Sequence, residues 1–193
     1  MRTSKTEIQH LIIAWLVLSL AFAIMESSFS LTAKFLYSVV VSALTVGIGF
    51  IFHEMSHKVV AQRYGCWAEF RADFFMLVFA LLLSFAGFIF AAPGAVIIGG
   101  KVNAKKNGII SLAGPLMNIL LAVIFLILSF ISNPVIHYIA LYGLFINAWI
   151  AAFNMIPVWN FDGAKILRWS KTVYALMLAV SFILIFVRFA VIK

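Results

Sequence analysis

Charge and cysteine are scarce in this chain of 193 residues: 10% of the residues are charged, and Cys66 is the one cysteine. A soluble domain carries about 25% charged residues, so water is excluded as the solvent for most of the surface. A single cysteine excludes an intrachain disulfide. Acidic residues are few as well, six against fourteen basic ones, for a formal charge of +8. In a soluble chain that balance would point to nucleic acid. Here the basic residues stand between apolar runs, where they act as topology signals and meet anionic headgroups. No P-loop, dinucleotide fingerprint or second metal cluster is present, and no nucleic-acid partner is expected. What abounds is apolar: 65% of residues are hydrophobic, 20 of them Phe, and mean hydropathy is +1.15. That composition excludes disorder and predicts an all-α polytopic membrane protein whose first partner is the lipid bilayer.

A spanning helix needs about 20 apolar residues. Uncharged stretches begin at Leu11, Phe35, Phe74, Gly108 and Thr172, and the one from Gly108 to Phe161 is long enough for two spans turning at Asn133-Pro134. The first stretch also fits a signal peptide, with Arg2 and Lys5 ahead of it and Ala21-Phe22-Ala23 as a cleavage pattern. An uncleaved helix is the expectation, because a second apolar stretch follows closely enough to pair with it. If every stretch crosses once, Lys and Arg divide seven to seven. If residues 74–100 dip in and return as a helix and an extended strand, only Lys34, Arg188 and Lys193 stay outside, eleven against three. The positive-inside rule selects the second arrangement. The expectation is thus about five transmembrane helices plus a re-entrant helix–strand segment over 74–100, in one membrane domain spanning 1–193. Non-helical backbone at membrane depth must be buried or line a wet cavity, so residues 93–100 are expected to line a site. Trp67, Trp149, Trp159 and Trp169 fall near span ends, as interfacial aromatics do.

His53-Glu54-Met55-Ser56-His57 ends the second stretch. On a helix, positions i and i+4 share a face, so both imidazoles point one way. Glu54 stands beside that face, where a general base for metal-assisted hydrolysis belongs. Ionisable groups at the end of an apolar span are costly unless they serve a function. A catalytic zinc usually takes three protein ligands. His10 and His137 read as interfacial. Glu7 and Glu26 flank the first span, and Glu69 and Asp73 lie in a basic loop as solvated ion pairs. Asp162 follows the long uncharged run, and the re-entrant topology brings it to the same membrane face as His57. Ser56 and Ser111 read as packing hydroxyls, and Gly47 and Gly49 as sites of close helix approach.

Three motifs resemble the site-2 protease family of intramembrane zinc metalloproteases, in particular its small archaeal and bacterial members. They are HEMSH at 53–57, Ala113-Gly114-Pro115-Leu116-Met117-Asn118, and the run from Asn154 through Pro157 to Asp162-Gly163. They occur in the family's order and place a catalytic core at about residues 35–170. The resemblance implies one zinc per chain, held between helices by His53, His57 and Asp162, with Glu54 as catalytic base. It implies that Asn154 and Asn118 orient substrate or stabilise the oxyanion. It also implies a membrane-spanning protein or peptide substrate, and a multi-pass protein of the cell membrane with its active site near the cytoplasmic face. The Ala92–Gly99 stretch, β-branched and bounded by Pro and Gly, would either offer a strand edge to an unwound substrate or serve as a packing loop. A catalytically inactive, zinc-containing binding module is the alternative, and a metal transporter using the same three ligands is disfavoured by the intact HExxH.

Overall fold

The computed structural model describes residues 2–30, 32–89, 93–158 and 160–191. Ala92, Trp159 and Lys193, named above, lie outside these. The chain runs α1 (Lys5–Ser27), α2 (Ala33–Ser42), a π-helical turn (Ala43–Gly47), α3 (Ile48–Arg63), β1 (Trp67–Ala72), α4 (Phe74–Ser84) and β2 (Gly94–Gly99). It continues through α5 (Ala104–Leu128), α6 (Pro134–Asn154), α7 (Asp162–Trp169) and α8 (Lys171–Val191). Among the described residues, five helical rods are long and apolar enough to cross a membrane, with α2, the π turn and α3 forming one rod of 31 residues. The protein is an all-α polytopic membrane protein with a small two-stranded sheet.

Short polar residues start the rods. Ser4, Asp73, Asn103 and Asn133 each accept a backbone N–H from the first turn of the helix that follows, satisfying donors that the helix leaves orphaned. Asn133-Pro134 thus marks the start of α6, as the sequence indicates. Alanines wholly removed from the surface, among them Ala14, Ala21, Ala122, Ala148 and Ala151, let helix backbones approach closely where lipid supplies no hydrophobic drive. One core joins α5, α6, α7 and α8 around Leu144, Met155 and Ile166. Another joins α1, α3, β1 and α4 around Leu18, Phe50, Phe70 and Leu77.

Element ends sort into two groups. Lys58, near the end of α3, bonds Glu7 at the start of α1, Lys106 at the start of α5 sits over the Tyr64 ring, and Gly108 lies against Trp169. At the opposite end Tyr138, in the second turn of α6, bonds Glu26 near the end of α1. These are the groupings that the re-entrant arrangement requires. The excursion after β1 also closes on itself: α4 has 11 residues, too few to cross, and β2 returns antiparallel to β1 with Ala72 opposite Gly94.

Residues 67–72 correct the sequence reading, which placed Glu69 and Asp73 in a solvated loop. They form a strand, with Glu69 bonded by Ser4 and by Arg71 Nη2 at 2.8 Å, and Asp73 caps α4. His10 also does more than sit at an interface, since its Nδ1 accepts the Ala72 N–H at 3.1 Å.

Candidate metal centre

Two antiparallel helices build the site rung by rung. On α3, His53 and His57 stand four residues apart. On α5, Ile110, Gly114 and Asn118 follow the same spacing and so line one stripe. His57 Nδ1 meets the Ile110 carbonyl at 2.8 Å, and His53 Nδ1 meets Asn118 Oδ1 at 2.5 Å. With both Nδ1 atoms committed to acceptors, both Nε2 atoms present lone pairs to a common point. Gly114 lies between the rungs. A Cβ there would stand 2.5 Å from His53 Nε2 and 2.6 Å from His57 Cε1, so glycine keeps the space before the imidazoles clear.

Asp162 closes the cluster from the first turn of α7, where the helix dipole favours a carboxylate. Its Oδ2 lies 3.3 Å from His53 Nε2 and 3.1 Å from His57 Nε2, and its Oδ1 faces Lys165 Nζ at 3.9 Å. Gly163 allows the approach of α7, because a Cβ there would stand 2.7 Å from the Met155 Cα. The donor set of two imidazoles and a carboxylate, all buried and within 4.8 Å of one another, is the chemistry zinc takes. Donors about 2.0–2.1 Å from a tetrahedral ion lie about 3.3 Å apart, close to the spacing of Asp162 from each histidine.

Glu54 is buried beside the cluster and faces the backbone N–H of Val96 on β2. The hydrogen bonds of β1 explain why that amide is free to face it. Phe70 N–H donates to Glu7 Oε1 at 3.0 Å, Ala72 N–H to His10, and the Ala68 carbonyl accepts from Gln62 Nε2 at 3.2 Å. Those three residues therefore point away from β2, and their register partners Ile98, Val96 and Gly94 form non-hydrogen-bonded pairs whose backbone groups face the other side. One edge of the sheet is thus closed by side chains from α1 and α3. Beyond the other edge no further strand lies among the described residues, and Glu54 stands against it.

The two asparagines differ in placement. Asn118 is wholly buried, bonded to His53, to the Gly49 carbonyl at 3.1 Å and to Asn147 Oδ1 at 3.0 Å. Asn154 is half-buried, its Nδ2 bonded to Ile150 O in its own helix at 3.0 Å. Asn147, also wholly buried, is a site neighbour the sequence reading missed; a lone Asn seven residues before Asn154 in an apolar run was its only signal.

Over 180 residues the chain is 41% identical to a protein of Methanocaldococcus jannaschii named "Putative zinc metalloprotease", with 91% of each chain covered. The chain belongs to that zinc metalloprotease family. A second protein of the same organism, named "Zinc metalloprotease", is 29% identical over 164 residues, which cover 84% of this chain and 41% of that one. No family model and no solved structure matches the chain.

Proposed function

We propose that this metalloprotease is an intramembrane endopeptidase of the site-2 protease type, hydrolysing a peptide bond in a membrane-embedded segment of a protein or peptide substrate. The observation that carries the reading is that Glu54, the His53–His57–Asp162 cluster and the open edge of β2 meet at one place within a membrane-spanning helix bundle. A peptide bond in a membrane helix is hidden, because its carbonyl is already bonded and water is absent. An extended segment laid along β2 would bond the backbone groups of Val96 and Ile98 in place of its own helical partners, bringing its carbonyl alongside Glu54. His53, His57 and Asp162 would hold one zinc per chain, which when bound polarises water and carbonyl as a Lewis acid. Glu54 takes the proton from the attacking water and returns it to the leaving amine. Of the two asparagines, Asn118 is spent within the protein, and Asn154 would orient the substrate or the oxyanion. The site lies toward the cytoplasmic face of the cell membrane on the charge argument above, and single cysteines at Lys105 and Lys165 should label from that side.

Purified wild type should carry about one zinc per chain and Asp162→Ala about a tenth of that or less, since three ligands make the usual catalytic set. Reconstituted with a panel of membrane-spanning peptides, wild type should cleave and Glu54→Gln should not, at equal zinc content. Zinc retained without any Glu54-dependent cleavage would favour a zinc-containing binding module instead. No zinc in wild type would overturn the metal site.

A further inference from the structure

We infer that Asn147 is a positioning residue for the metal site: together with the Gly49 carbonyl it fixes which end of the Asn118 amide faces His53, and so which nitrogen of His53 is left to bind metal. The inference rests on the metal site proposed above. Asn147 lies on α6, outside all three motifs. Its Nδ2 donates to the Gly143 carbonyl at 3.0 Å and toward the Thr45 carbonyl at 3.5 Å. Backbone carbonyls only accept, so the amide nitrogen of Asn147 must face them, and its Oδ1 is left facing Asn118. Asn118 Nδ2 then has both hydrogens engaged, one by Gly49 O at 3.1 Å and one by Asn147 Oδ1 at 3.0 Å. The end of Asn118 that remains for His53 is Oδ1, at 2.5 Å from Nδ1.

The polarity of this chain decides the state of the imidazole. An acceptor at Nδ1 keeps the proton there and leaves the Nε2 lone pair for the metal. With the Asn118 amide turned over, its NH2 would face Nδ1 and demand a lone pair, moving the proton of a neutral imidazole to Nε2, where it would block coordination. Two backbone carbonyls, on Gly49 and Gly143, anchor the chain, and Asn147 transmits the second anchor. The packing is built for it: a Cβ at Gly49 would stand 3.1 Å from Asn147 Cγ, so glycine makes room for this amide. A buried Asn that merely glues helices would need no such polarity.

The test is a double-mutant cycle on zinc affinity, measured by chelator competition on the full chain in detergent. Asn147→Leu should weaken zinc by about 10- to 100-fold, as loss of an outer partner of a ligating histidine does. In an Asn118→Ala background there is no amide left to orient. There the same substitution should cost less than about threefold. Equal losses in both backgrounds, or no loss in either, would overturn the inference. Asn147→Ala serves the same cycle if the leucine variant does not fold. A second readout needs no metal: in zinc-stripped protein with 15N-labelled asparagine, both side-chain N–H hydrogens of Asn118 should exchange slowly in wild type, and one of them should exchange fast in Asn147→Leu. Two slowly exchanging hydrogens in the variant would also overturn the inference. If wild type binds no zinc, the functional reading fails while this spectrum still decides the role of Asn147.

Discussion

His53 on α3 and Asn118 on α5 face each other across the helix interface, 65 residues apart in the chain and joined Nδ1 to Oδ1 at 2.5 Å. With the bond from His57 to Ile110 O, this rung fixes both ring planes. The two imidazoles therefore sit at 82° to each other with centroids 4.7 Å apart, held by α5 and not by their own helix. A centre assembled this way depends on the small residue between its rungs and on the strand laid beside it.

Gly114 carries the first expectation. In Gly114→Ala the added methyl would press on both imidazoles, and overpacking a filled site costs about 1–3 kcal/mol. The helices have no reason to melt. Zinc content should fall to near zero while the circular dichroism spectrum keeps its helical signal; zinc retained at the wild-type level would mean that the rungs can part.

Val96 separates backbone from side chain. Val96→Pro removes the N–H that faces Glu54 and blunts the open edge, whereas Val96→Ala leaves both. Cleavage of a membrane-spanning peptide should be abolished in the proline variant and persist in the alanine variant, with zinc content unchanged in each. Full activity in Val96→Pro would remove the edge of β2 from the mechanism.

Glu7 and Lys58 form a wholly buried ion pair, and the same carboxylate takes the Phe70 N–H through its other oxygen. Breaking such a pair from one side leaves a buried charge alone and costs about 3–5 kcal/mol, while replacing both partners costs far less. Glu7→Gln and Lys58→Met should each lower the unfolding temperature in detergent sharply, and the double variant should recover much of the loss. Additive losses would show that the two side chains act independently.

Glu69 supplies a pH dependence. Its bonds from Arg71 and Ser4 hold its carboxyl below the usual carboxylate range. A depressed folded-state value means stability that is present above the unfolded value, about 4.3, and lost as pH falls through the folded one. The difference in thermal stability between wild type and Glu69→Gln should therefore be greatest near neutrality and shrink in acid. A difference that grew on acidification would contradict the assignment.

The parts legible in the sequence are those where chemistry or the bilayer restricts residue type. HEMSH and Asp162 stand out because ionisable groups are rare in apolar runs, and the return of residues 74–100 follows from where Lys and Arg can sit. β1 was illegible because Trp-Ala-Glu-Phe-Arg-Ala is short and carries its charges mid-strand. What makes it a strand is a set of bonds from Glu7, His10 and Gln62, two of them about sixty residues away. The π turn at Ala43–Gly47 hides in the same way, since Trp15 Nε1 on α1 donates to the Ala43 carbonyl at 3.1 Å. A motif reading places Asn118 near the site, but only the coordinates show that its amide is spent on His53, Gly49 and Asn147.

The excursion between the strands leaves and returns through one doorway, with Asp73 N–H bonded to the Pro93 carbonyl at 3.0 Å and Ala72 opposite Gly94. Glu54 and the His53–His57–Asp162 cluster lie outside the excursion. The arm itself is anchored, since Leu77 of α4 packs with Leu18 of α1 and Phe70 of β1. The doorway and this anchor together fix the register of β1 against β2, so the place of Val96 beside Glu54 is set by the first helix of the chain and not by the site itself.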